Sequence, residues 1–107
     1  MRVVLVTTDT LESARELARI AVQGRHAACV NIVAGVTSVY EWEGALREEA
    51  EYLLILKTTA ARYPALEAAI RARHAYATPE ILALVSAEVS PPYAAWVRQL
   101  CDAKALE

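Results

Sequence analysis

Residues 36–58 set the tightest limit on what this chain can fold into. From 36 to 43 the side chains alternate, with Val36, Ser38, Tyr40 and Trp42 on one face of an extended strand and Thr37, Val39, Glu41 and Glu43 on the other. Glu43-Gly44 is a hairpin turn pair. The chain then returns within 45–58, through the charged segment EEAE (48–51) into the apolar run LLILK (53–57). The first part of that return strand is expected to be solvated and the second part buried. The result is a long hairpin whose tip projects beyond the core.

The remaining segments fall on either side of this hairpin. Residues 2–8 are apolar and rich in β-branched side chains, which predicts a buried strand. Asp9 and Glu12 have capping-box spacing ahead of a helix with Ala14, Leu17, Ala18 and Ala21 on its apolar side, and Gly24 fits its left-handed C-terminus. AACVNIV (27–33) predicts the next strand. A second helix is expected from near Thr59, with Pro64 in its first turn and Leu66, Ala69 and Ile70 buried, ending at Arg73-His74. ILALVSA (81–87) is a further apolar strand. Ser90 as N-cap and Pro91 at the first position open a last helix with Tyr93, Trp96, Val97 and Leu100 along one stripe.

The order is β-α-β-β-α-β plus a terminal helix, the ferredoxin-like plan of an α+β sandwich, within one domain spanning 1–107. Strands apolar on both faces leave one sheet face uncovered by the two helices. In so small a domain another copy of the chain is the available cover, so a homo-oligomer is expected.

Charge and composition narrow the partners. With 11 Lys and Arg against 13 Asp and Glu, and no block of like charges, the chain lacks the basic patch that nucleic acid or an anionic membrane surface requires. The run Val3-Val4-Leu5-Val6 is too short for a signal segment or a membrane span, and points to a soluble, cytoplasmic protein. Two isolated cysteines, Cys29 and Cys101, form neither a disulfide framework nor a CxxC site and are expected to be reduced.

Four stretches, AACVNI (27–32), TSVYEWEG (37–44), LLILKTT (53–59) and HAYATPEI (74–81), resemble the signature segments of the CutA family, the divalent-cation tolerance proteins, and so does their spacing. The resemblance runs from Val3 to Leu100. It implies a tightly packed homotrimer, similar in architecture to PII signalling trimers, in which long hairpins wrap neighbouring subunits.

It also implies where ligands would sit. The family's association with copper directs attention to a cysteine in the first strand and an adjacent pair of histidines before a proline-glutamate stretch. In this sequence those positions are Val6 and Arg73-His74, so His74 alone carries over as a candidate ligand for copper(II). Ala75 stands where the family usually has a proline. A single imidazole beside the positive charge of Arg73 is a poor basis for tight cation binding. His74 has a plainer role available in bonding terminal helix carbonyls, and His26 is expected to be solvated.

The family's cleft between subunits has a wall to which Cys29, Tyr40, Trp42, Lys57, Tyr76 and Glu80 would contribute. Against that, Cys29 has a default role as a buried strand residue and Tyr40 and Trp42 as apolar cover for a neighbour. Cys101 matches no family signature and is expected to pack. Lys57 ends an apolar strand, so its ammonium needs water or a carboxylate such as Glu80. A Lys57 and Glu80 pair would suit a small zwitterion or anion, or serve as a structural ion pair.

No GxSxG, HExxH, Walker or dinucleotide motif is present, and no enzymatic role is expected. The expected function is a trimeric, cytoplasmic role in divalent metal ion (copper) tolerance, with no required cofactor. The alternatives are a PII-like sensor of a small metabolite and a purely structural trimeric scaffold.

Overall fold

A computed structural model describes residues 1–104. The chain runs β1 (Arg2–Thr8), α1 (Leu11–Gln23), β2 (Cys29–Trp42), β3 (Ala45–Thr58), α2 (Tyr63–Arg73), β4 (Ile81–Val85) and α3 (Pro91–Asp102). The four strands form one sheet in the order β2-β3-β1-β4, with every neighbouring pair antiparallel. This is the ferredoxin-like α+β plan expected from the sequence.

One sheet face packs on the helices. Val4 and Val6 of β1 and Leu54 and Leu56 of β3 are fully buried against Ala14, Leu17 and Ala21 of α1 and Leu66 and Ile70 of α2. Helix α3 builds a smaller cluster of its own. Val97 and Cys101 pack with Ala28, Met1, Tyr93 and Leu100, whereas Trp96, expected on the same stripe, stays 42% exposed.

The opposite sheet face carries Val3 and Leu5 of β1, Leu53 and Ile55 of β3, and Leu82 and Leu84 of β4, aligned by the cross-strand register. Among the described residues no element packs over it, and Leu82 and Leu84 are about half exposed, at 51% and 48%.

Strands β2 and β3 have 14 residues each, against 7 in β1 and 5 in β4, so the hairpin extends past the rest of the sheet. Its turn residues Glu43 and Gly44 both have positive φ, 52° and 78°, as a two-residue type I′ connection demands. Between Val33 and Val36 the register slips by one residue, and Gly35 there has φ 78°. This bulge changes which side chains share a face. Before it, Cys29, Asn31 and Val33 lie beside Lys57, Ile55 and Leu53; after it, Val36, Ser38, Tyr40 and Trp42 lie beside Glu51, Glu49, Arg47 and Ala45. Strict alternation from Cys29 would have turned Tyr40 and Trp42 to the helix side.

Some local details depart from the sequence-based expectations. Thr10, not Asp9, caps α1, its hydroxyl accepting the Ser13 N–H at 3.0 Å, because the buried Thr8 hydroxyl also engages Ser13 Oγ at 2.8 Å and sets the helix start one residue later. The left-handed residue after α1 is Arg25 (φ 59°), while Gly24 is right-handed. Ser90 precedes Pro91 as expected, but its side chain makes no capping bond.

Candidate functional site

The bulge places the Tyr40 and Trp42 face of the hairpin opposite the segment joining α2 to β4. Between them lies a cavity of about 570 Å³ whose walls include Tyr40, Trp42, Glu49 and Glu51 from the hairpin, Thr7 from the end of β1, and Tyr76 and Glu80 from the segment 74–80.

His74 fastens that segment. Its backbone ends α2, with its N–H bonded to the Ile70 carbonyl at 2.9 Å. The Tyr76 backbone N–H lies 3.0 Å from His74 Nδ1 and can only donate, so Nδ1 is the acceptor. The ring proton is therefore on Nε2, which donates to the Thr7 carbonyl at 2.8 Å, one residue beyond the last β1–β4 pair, Val6 with Ile81. The His74 and Tyr76 rings lie 4.8 Å apart, tilted by 51°. The side chain expected to bond helix carbonyls thus reaches across to β1 instead.

From this anchored backbone, the Tyr76 hydroxyl donates to Glu51 Oε2 at 2.7 Å. Burial, then the hydrogen bond to Glu51 and the charges of Glu51, Asp9 and Tyr40, push the Tyr76 phenol well above its ordinary value, so it remains a donor. Glu51 is only 8% exposed, against the expectation that EEAE is solvated throughout. Alternation along β3 does place it on the same face as Leu53, and that was its one sequence-level signal. Desolvation and the neighbouring Glu49 carboxylate push the Tyr40 phenol up as well.

Of the residues expected to converge, the structure brings Tyr40, Trp42, Tyr76 and Glu80 around one cavity. Within the subunit, Cys29 and Lys57 do not join them. Lys57 pairs in register with Cys29 and Val3, and the six residue steps along β3 from Glu51 to it span roughly 20 Å. Its ammonium reaches Asn31 Oδ1 and approaches Cys29 Sγ at 3.9 Å, so the expected Lys57 and Glu80 pair does not form in the subunit. Tyr93 lies beside Cys29 and its phenol is pushed up by burial and by that thiol.

Both ring nitrogens of His74 are occupied by hydrogen bonds, and the described residues contain no cluster of three His, Cys, Asp or Glu arranged to hold a metal ion. Arg73, at 3.3 Å from Glu16, forms the ion pair found among the described residues. His26 is not simply solvated: Arg62 Nη2 approaches its Nδ1 at 3.3 Å, and burial followed by the Arg62 charge lowers its pKa below 6.5. Cys101 is buried packing, as expected. No helix among the described residues is long and apolar enough to cross a membrane.

This ferredoxin-like sheet with its outsized hairpin is the fold of the solved divalent-cation tolerance proteins. Residues 2–100 match the CutA1 divalent ion tolerance protein family, and the chain belongs to it. It is 46% identical over 97 residues to the divalent-cation tolerance protein CutA of Thermus thermophilus, covering 91% of this chain and 94% of that one. Protein CutA of Mus musculus is 40% identical over 97 residues, but those residues are 91% of this chain and 55% of the mouse protein, so the chain spans about half of that longer relative.

Solved structures agree. The Thermus thermophilus Cut A1 structure superposes with a TM-score of 0.90, covering 92% of this chain and 97% of that one at 46% identity. CutA of Archaeoglobus fulgidus, described as a periplasmic divalent cation tolerance protein, superposes at 0.92 with 27% identity, covering 95% of this chain and all of that one, at 100%.

Proposed function

We propose that this protein acts in tolerance of divalent metal ions, copper foremost, as a cytoplasmic homotrimer that is not an enzyme and holds the metal weakly. The observation that carries the metal role is the position of His74: the one copper-ligand position suggested by family resemblance that this chain keeps is also the clasp between β1 and the cavity-lining segment. A copper(II) ion taking either ring nitrogen has to displace the Thr7 carbonyl or the Tyr76 N–H. The cost of those hydrogen bonds keeps binding weak, and their loss couples the metal to the position of Tyr76. No resident cofactor is needed for this.

The trimer is supported by the uncovered sheet face. Taking a Leu, Ile or Val from exposed to fully buried contributes about 1.5–3 kcal/mol, and part of that is open to each of the six in register on this face: Leu82 and Leu84, about half exposed, and Val3, Leu5, Leu53 and Ile55, already partly buried. A monomer mass by light scattering would overturn this part.

Copper(II) titration followed by the Tyr76 amide resonance tests the metal role. The expected result is saturable binding that broadens the Tyr76 amide resonance and is abolished by His74→Ala. Binding unchanged by that substitution, or none at all, would sink the assignment.

A further inference from the structure

We propose that the cavity between the hairpin and the segment 74–80 binds a small organic cation, an ammonium or guanidinium group carried on an apolar body. The inference goes beyond the metal role and does not depend on it. At about 570 Å³ the cavity falls in the range of roughly 300–1,000 Å³ typical of small-molecule sites, far more room than a bare ion uses.

Its lining is one-sided in charge. From the one subunit, Glu49, Glu51 and Glu80 border it, and none of that subunit's Lys, Arg or His does so among the described residues. Lys57, the residue that would have suited an anion or zwitterion, lies at the far end of the sheet, held by Asn31 and Cys29. Arg47 is the nearest cation in register, opposite Tyr40, and it is not part of the wall. The carboxylate of Glu51 is the most demanding group present. The residue is more than nine-tenths buried and Tyr76 supplies a donor to Oε2, while Oε1, which no hydrogen bond from the described residues reaches, stays open to the cavity, since no fully buried side-chain oxygen among them lacks a partner. A buried carboxylate with spare acceptor capacity is stabilised by a cationic donor more than by any neutral one.

The rest of the wall supplies the other half of such a site. Tyr40, Trp42 and Tyr76 offer aromatic faces, which attract ammonium and guanidinium groups through the ring quadrupole and cover the apolar part of a ligand. Carboxylates alone would suit a hydrated metal ion. Carboxylates set among three aromatic rings favour a cation that has lost its water and brought carbon with it.

The test uses the full-length protein with Trp96→Phe, which leaves Trp42 as the only tryptophan. Phenethylamine and agmatine are the cationic probes; phenylacetate and phenethyl alcohol are the anionic and neutral controls. The expected result is a saturable change in Trp42 emission with the amines and none with phenylacetate. Glu51→Gln is expected to weaken amine binding by about tenfold, the scale of one charge-assisted hydrogen bond. Glu80→Gln, on the exposed segment, is expected to weaken it as well and serves should Glu51→Gln fail to fold, while Lys57→Ala leaves it unchanged. Equal binding of phenylacetate, binding indifferent to both Glu substitutions, or no response to either amine at millimolar concentration would overturn the proposal. Because no copper is present, failure here leaves the metal role standing.

Discussion

Tyr76 gives its hydroxyl proton to Glu51 at 2.7 Å, and that bond joins the α2–β4 segment to the projecting hairpin. Removing the donor leaves a buried carboxylate oxygen with no protein partner among the described residues. Tyr76→Phe is therefore expected to cost about 1–3 kcal/mol, more than the loss of an ordinary exposed hydrogen bond. Calorimetric melting at neutral pH measures it; a melting temperature equal to that of the parent would show the bond to be idle.

The same phenol makes stability depend on alkaline pH. Its folded pKa lies above the ordinary 10.0, so from about pH 10 upward the unfolded chain loses a proton that the folded chain keeps. The contribution is complete below pH 10 and is lost as pH rises toward the folded value. Tyr40, Tyr63 and Tyr93 are raised too, so the test is a difference. Urea unfolding between pH 9 and about 11 is expected to show a shallower decline for Tyr76→Phe than for the parent.

Backbone conformation governs the hairpin. Glu43 occupies the left-handed region at φ 52°, where a long side chain is strained and Asn is tolerated. Glu43→Asn is expected to stabilise by about 0.5–1 kcal/mol. Gly35→Ala meets no atom within 4 Å, so its cost comes from the φ of 78° alone, about 1–2 kcal/mol. Paired thermal melts check both signs.

Arg62 holds the turn after α1, donating to the Gly24 carbonyl at 3.0 Å and the Arg25 carbonyl at 3.1 Å beside His26. The lowered His26 pKa makes its contribution present above pH 6.5 and lost as pH falls toward the folded value. Arg62→Ala is expected to raise the His26 titration midpoint in proton NMR and to destabilise the fold by about 1–3 kcal/mol. Since burial is the larger cause of the shift, part of it should survive; a midpoint that does not move would remove Arg62 from the explanation.

The sequence made the order of elements along the chain, the hairpin turn and the apolar second sheet face legible because each rests on local patterning. Alternation from Val36 to Trp42 and positive φ at Glu43-Gly44 are set by near neighbours. What escaped depends on geometry between distant segments. Asp9 and Thr10 both offer caps, and only the pairing of Thr8 with Ser13 decides between them. The bulge after Val33 fixes which face meets the cavity, yet Ala34-Gly35 reads equally as continuous strand. Glu51 looked like the last of a solvated acidic run, and its burial needs Tyr76, 25 residues away in sequence. Tyr40, Trp42, Tyr76 and Glu80 converge because the hairpin overhangs the α2–β4 segment; Cys29 and Lys57 share their sheet face but sit at its other end.

The most direct test of the proposed role is a copper challenge in a host whose own relative of this protein has been deleted. Growth in excess copper is compared after complementation with the parent chain and with His74→Ala, with both proteins confirmed as folded and equally abundant. The expected result is that the parent restores tolerance and His74→Ala does not. Equal rescue by both would contradict the role of His74, and rescue by neither would contradict the part in copper tolerance altogether.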